Sequence, residues 1–229
     1  MIEVKSIVKH YGKRKVLNGV DFTAEKGQIT CLIGINGVGK STIMKAIMGL
    51  TPISSGQILI DGQPLHKGMY EKIAFIPDTI AMPLSMTVGE SMRFMKDFYD
   101  SWNEQRAQEL LDFFRLNKAD RISELSKGNA AKINLLLGLG LDADYLLMDE
   151  PFSGIDMFSR EQIAKVFTSH LIEDRGVLIT THEISDIEHL IDKAVLLDQG
   201  IVAREFNAEE VRFSEGKSVV DIMREVYQA

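Results

Sequence analysis

"GINGVGKST", residues 34–42, is the stretch on which the fold turns. Gly34, Gly39, Lys40 and Ser41 satisfy G-x-x-x-x-G-K-[ST], a pattern with meaning only between a strand and a helix. That context is present. "ITCLI" before it is apolar on both faces, as a buried strand should be, and "KSTIMKAIMG" after it has helical spacing, with Ile43, Ile47 and Leu50 on one face and Gly49 as a stop. Glycines let backbone N–H groups close on phosphates, Lys40 brings a point charge to the β and γ phosphates, and Ser41 can ligand Mg²⁺. Asn36, Gly37 and Thr42 lie within or directly against the same loop.

Working outward, "YLLMDE" (145–150) ends an apolar strand in two acids, which packing alone does not call for. Asp149 is placed to hold Mg²⁺ through water, and Glu150 is the candidate general base for the attacking water. His182 ends the strand "ITTH", where strand carboxyl ends face the ligand crevice of an open α/β sheet, so contact with a γ phosphate is expected. His10, His66, His170 and His189 read as structural. A zinc reading of "HEISD" fails, because H-E-x-x-H needs a histidine where Asp186 stands. "LSKGN" (125–129) offers a second phosphate site: Ser126 is a good N-cap, and a helix start exposes N–H groups and the positive dipole end.

The whole chain supports this reading. Its 229 residues, 45% apolar, can bury a full core, and the net charge of −7 without a polybasic block disfavours nucleic acid or anionic lipid as partners. The single cysteine, Cys31, reads as a small buried hydrophobe. "MIEVKSIVKHYG" lacks the apolar core of a signal peptide, so a mature chain starting near Met1 is expected. The longest apolar run, "INLLLGLGL", is far below the roughly 20 residues of a spanning helix, so any membrane role needs a partner.

Short β-rich runs come first, including a hairpin signal at Asp61 and Gly62. A helical insert follows from near Met82 to Gly140. It opens on a capping box at Thr87 and Glu90, and "NEQRAQELLDFFRL" turns Leu110, Leu111 and Phe114 inward. Strand and helix alternation then resumes, and the tail stretch "SEGKSVVDIMREVYQ" is expected to form a short amphipathic helix with Val219, Ile222, Met223 and Val226 on one side. The fold class is α/β with a helical lobe.

In this order, the pieces resemble the nucleotide-binding subunit of an ABC transporter over essentially the whole chain. The resemblance implies a P-loop NTPase core with an antiparallel β lobe and an inserted α-helical subdomain. Residues 1–81 and 141–206 would form the RecA-like core with the β lobe, about 82–140 the helical subdomain and 207–229 a helical tail of a single domain. It implies that Tyr11 stacks on the adenine of ATP, and that "LSKGN" is the signature motif, usually LSGGQ, with Lys127 and Asn129 as departures. Ser126 and Gly128 would then bind the ATP held by Lys40 of a second ATPase subunit, homo- or heterodimeric. "FSGID" matches the D-loop, which puts Asp156 at the dimer seam besides capping the next helix, and His182 matches the switch histidine.

The largest departure is Asp78, where the family places the Q-loop glutamine; an acid there can ligand Mg²⁺ or orient water. Met82, Met86, Met92 and Met95, with Phe94 and Phe98, suit either core packing or a groove for a helix of the membrane subunit. The resemblance further implies separate transmembrane permease subunits, attachment to the cytoplasmic face of the membrane through them alone, and export of a drug, peptide or lipid-like substrate in the manner of small bacitracin-resistance ATPases. The alternative is a soluble ATPase of the same superfamily, such as an iron–sulfur assembly scaffold. A DNA-repair clamp would need a long coiled coil between Lys40 and Ser126, and a translation factor a tandem second copy; the sequence has neither.

Overall fold

The computed structural model describes residues 1–172, 174–182, 184 and 187–228; Glu183 and Asp186 of the rejected zinc pattern, and Ala229 of the tail, lie outside them. The chain starts with the strands β1 (Ile2–Tyr11) and β2 (Arg14–Ala24), which pair antiparallel, followed by β3 (Ile29–Ile33) and helix α1 (Lys40–Ile47). Next come β4 (Ser55–Ile60), β5 (Gln63–Pro64) and β6 (Ile73–Ile76). Asp61 and Gly62 both adopt positive φ at the β4–β5 turn, as the hairpin reading requires.

Three helices follow, α2 (Val88–Phe98), α3 (Glu104–Phe114) and α4 (Lys127–Leu139). Thr87 and Glu90 form the capping box of α2, and Leu110, Leu111 and Phe114 of α3 are buried. Then come β7 (Tyr145–Asp149), α5 (Met157–Phe167), β8 (Gly176–Thr181), β9 (Lys193–Asp198) and β10 (Ile201–Asn207). The chain continues into α6 (Ala208–Ser214) and α7 (Val219–Tyr227).

Two sheets result. The order β2-β1-β4-β5 makes an antiparallel sheet, and β10-β9-β3-β8-β7-β6 makes a second sheet whose strands are parallel except for β10. Because side chains alternate along a strand, the second sheet feeds two cores. Ile33, Met148, Val177 and Ile179 pack with the helices α2 to α5 and the tail. Leu32, Leu147, Leu178 and Val195 pack with α1 and the antiparallel sheet.

Register places the site. Ile33 of β3 pairs with Thr181 of β8, Thr180 of β8 with Asp149 of β7, and Met148 of β7 with Ile76 of β6. The carboxyl ends of these strands therefore share one edge of the sheet, the edge at which ligands bind in open α/β folds.

One local expectation changes. Leu50 is exposed rather than inward, because Gly49 takes φ +67° and the Leu50 N–H turns back to the Lys45 carbonyl, so Leu50 lies past the helix it was assigned to. The expected tail helix is α7, which starts at a capping box of Ser218 with Asp221, and α6, capped by Asn207, precedes it. Val219 and Ile222 are buried in the main core, and the Tyr227 hydroxyl lies 2.9 Å from the Leu197 carbonyl at the end of β9. Replacing Ile222 by Ala is expected to cost about 3 kcal/mol, read as a lowered urea midpoint; a change below about 0.5 kcal/mol would show that the tail is a loosely attached appendage.

Candidate functional site

A cleft of about 340 Å³ at this edge is lined by Asn36, Gly37, Gly39, Lys40, Ser41, Thr42, Asp78, Glu150 and His182. Gly39, at the start of α1, takes φ +123°, and a side chain there would collide with Leu17 of β2 at 2.6 Å, so glycine is required on both backbone and packing grounds. Gly34 sits at the root of the loop, where its carbonyl accepts from Lys40 Nζ at 2.7 Å. That ammonium is buried and also lies 3.2 Å from Glu150 Oε1. It is held at the mouth of the loop by one carbonyl and one carboxylate.

Asp149 is almost fully enclosed. Its Oδ1 accepts from the Ser41 hydroxyl at 3.1 Å and from the Thr180 hydroxyl at 2.6 Å, which offsets the cost of burying a carboxylate. Glu150 then takes φ +50°, a conformation rare outside glycine. Its backbone N–H donates to the Thr180 carbonyl and Oγ1 at 3.1 and 3.0 Å. The turn carries the Glu150 side chain towards His182, whose ring Nδ1 lies 2.8 Å from Oε2 and whose backbone N–H donates to the same oxygen at 3.3 Å. The donors around Ser41, Asp149 and Asp78 are all oxygen, the set a hard divalent cation takes.

Tyr11 lies at the end of β1, about half exposed, with Lys9 Nζ 4.6 Å from its ring centroid. The neighbouring Thr51 side chain above all, with Thr42, Lys9 and Lys45, holds its hydroxyl below the usual tyrosine pKa.

Ser126, Gly128 and Asp156 lie away from the Lys40 cleft. Ser126 caps α4 by accepting from the Asn129 N–H at 3.2 Å. Asp156 caps α5, accepting from the Ser159 N–H at 2.9 Å and its hydroxyl at 2.8 Å, and these bonds hold its carboxyl below the usual range. The first turn of α4 lies against the start of α5: a Cβ on Gly128 would stand 2.3 Å from Ser159 Oγ and 3.0 Å from Asp156 Oδ2.

Sequence reasoning missed Thr180, Val16 and Ser153, of which the last two line the cleft. Thr180 had a signal, a hydroxyl in an otherwise apolar strand beside His182. Among the described residues, no group of three or more His, Cys, Asp or Glu side chains is arranged to hold a metal alone, and no helix is long and apolar enough to cross a membrane.

The chain as a whole is similar to known proteins. A family model described as ABC transporter matches residues 17–153. Nod factor export ATP-binding protein I of Rhizobium meliloti (strain 1021) is 36% identical over 207 residues, covering 87% of this chain and 62% of that protein. Linearmycin resistance ATP-binding protein LnrL of Bacillus subtilis (strain 168) is 33% identical over 208 residues, covering 87% of this chain and 67% of that protein. A solved structure of the ATP-binding subunit of an ABC transporter superposes with a TM-score of 0.88 at 28% identity, covering 99% of each chain. The chain belongs to the ABC transporter family. Within it, the fold is that of an ATP-binding cassette. It spans only 62% of the length of its Rhizobium relative.

Thr180 provides a test of the local geometry. Thr180→Val keeps the shape but removes a donor from buried Asp149 and an acceptor from Glu150. Stability should fall by about 1–3 kcal/mol in urea unfolding, and ATP turnover should drop while ATP binding survives; an unchanged turnover would detach Thr180 from the alignment of Glu150.

Proposed function

We propose that this chain is the ATP-hydrolysing motor of an exporter, working through separate transmembrane subunits at the cytoplasmic face of the membrane. The observation that carries the reading is the convergence of Lys40, Ser41, Glu150 and His182 in one cleft with Asp149 buried beneath it. ATP sits with its phosphates on the 34–42 loop and its adenine on Tyr11, where stacking contributes on the order of 1 kcal/mol. Lys40 faces the β and γ phosphates. Glu150 takes the proton of the attacking water, and His182, 2.8 Å from it, fixes the carboxylate and faces the γ phosphate. Magnesium, when bound, neutralises charge between the phosphates; Ser41 would ligand it, Asp149 would hold it through water, and Asp78 would ligand it or orient water.

Two such chains pack head to tail, with Ser126 and Gly128 of one against the phosphates held by the other, and Asp156 at the seam. Ile35 of the phosphate loop, and Met157 and Phe158, 66% and 74% exposed directly after Asp156, are apolar side chains that such packing would cover.

The 82–140 segment acts as the helical lobe that meets the permease. An apolar groove of about 550 Å³ between it and the sheet, lined by Leu50, Tyr70, Met82, Phe94, Met95 and Phe98, has the shape and chemistry for an amphipathic helix. Met92 is buried and serves packing instead. ATP closes the dimer, closure pulls on the permease and hydrolysis reopens it. The names of the Rhizobium and Bacillus relatives, Nod factor export and linearmycin resistance, favour outward movement of a drug, peptide or lipid-like substrate. No observation favours the iron–sulfur scaffold.

Glu150→Gln is expected to keep ATP affinity, lower turnover at least 100-fold and accumulate an ATP-bound dimer in size-exclusion chromatography; turnover near that of the wild type would remove Glu150 as the base. Ser126→Arg should leave the ATP affinity of the monomer within about twofold yet abolish that dimer. A dimer formed normally by Ser126→Arg would refute the shared site.

A further inference from the structure

Asn134 is an amide in the apolar run "INLLLGLGL" of α4, only 6% exposed, with buried Ile133 and Leu135 on either side. An amide in such a place costs free energy unless both of its protons are bonded. Both are. Nδ2 donates to the Pro77 carbonyl at 3.0 Å and to the Thr79 carbonyl at 2.9 Å, the two carbonyls that bracket Asp78. Asp78 itself lines the cleft with Lys40, Ser41 and Glu150.

The contact extends along one face of the helix. One turn further on, Gly138 brings the α4 backbone against Ile76, the last residue of β6, where a Cβ would stand 2.3 Å from Ile76 Cγ1. On the other side, Lys127, Ala130 and Ala131 share a cavity of about 290 Å³ with Asp78 and Glu150. Residues 127, 130, 134 and 138 recur at helical spacing, so the helix that begins at Ser126 follows the 76–80 segment for nearly its whole length. Packing alone would be met by an apolar residue at 134. Two hydrogen bonds from one planar amide do something packing does not, which is to hold the carbonyls of the residues before and after Asp78, in the 77–78 and 79–80 peptide units.

We infer that Asn134 is a positioning residue: from the helix headed by Ser126 it holds the backbone around Asp78, so that the acid faces the phosphate cleft and shifts when that helix shifts. The inference rests on the ATPase reading above and names a residue through which the second phosphate site would reach the first. Asn134 touches no reacting atom, and its effect passes through Asp78.

The test is a double-mutant cycle on the full chain with Asn134→Leu, Asp78→Ala and both together, with Asn134→Ala in reserve should the leucine variant fail to fold. Two quantities are read: binding of a fluorescent ATP analogue with and without Mg²⁺, and steady-state kcat. Asp78→Ala should weaken the Mg²⁺-dependent part of binding and lower kcat about tenfold, which is about 1.4 kcal/mol. Asn134→Leu should produce a loss of about three- to tenfold in the same two quantities, with Mg²⁺-free binding unchanged. The double variant should be no worse than Asp78→Ala within about twofold, the sign of two residues acting as a unit.

A loss for Asn134→Leu that is equally large in the Asp78→Ala background would mark Asn134 as structural only and overturn the inference, as would no loss at all. A silent Asp78→Ala would overturn it too, while leaving the ATPase reading intact if the wild type hydrolyses ATP. A wild type that binds without hydrolysing would instead defeat the ATPase reading, and Mg²⁺-dependent binding would still decide whether Asn134 acts through Asp78.

Discussion

One oxygen of the Asp149 carboxylate takes hydroxyl donors from two separate elements, Ser41 of α1 and Thr180 of β8. A carboxylate this deeply buried is tolerated only where its charge is met by donors of good geometry, so the junction ties the phosphate loop, β7 and β8 together in one arrangement. Glu150 inherits its place from it. The Glu150 N–H is anchored on Thr180, and the positive φ takes the chain out of strand alternation so that its carboxylate lies between Lys40 and His182. Such a backbone costs about 1–3 kcal/mol and persists where surrounding bonds over-determine it, as the ammonium, the imidazole and the threonine do here.

Parts of this were readable from the residues because their chemistry is local. The 34–42 loop carries its spacing in nine consecutive residues, Asp149 and Glu150 mark a strand end by being acids after an apolar run, and Thr87 with Glu90 announces a helix start three positions apart. Ser126 and Asp156 were legible as caps for the same reason, and both cap in the structure. What escaped depended on register. Thr180 matters because it pairs with Asp149 across a parallel ladder, and no single-strand pattern states which residue of one strand faces which residue of another. Asn134 was invisible for a similar reason, since its partners are backbone carbonyls more than fifty positions away. Leu50 was misplaced because helical periodicity does not reveal that Gly49 has already turned the chain.

Gly128 shows that a motif residue can answer to two constraints at once. Its resemblance to a signature glycine points to a phosphate, yet the close approach of Ser159 and Asp156 excludes a side chain there in the isolated chain, with no nucleotide involved. Lys127, next to it, lies where a Cβ on Gly154 would be 2.6 Å from its Nζ, so the lysine reaches across to the loop between β7 and α5 rather than along the helix axis. Replacing the usual glycine by lysine therefore adds a contact between the start of α4 and the loop that follows Glu150.

The behaviour of α4 follows from what surrounds it. Residues on nearly all sides of the helix are buried, so it is not an amphipathic surface helix but a rod enclosed by α2, α3, α5 and β6. Close-packed interiors transmit displacement rather than absorb it. A push at its exposed N-terminal end, where Ser126 and Lys127 stand, is resisted along its length by Leu135, Leu136 and Leu139. It reaches the 76–80 segment through the places where backbone and side chain are in direct contact, at Gly138 and Asn134. The apolar contacts of this rod permit small sliding motions, because dispersion has little directional preference. The two amide bonds do not, and they fall on either side of the one residue of that segment which belongs to the phosphate cleft.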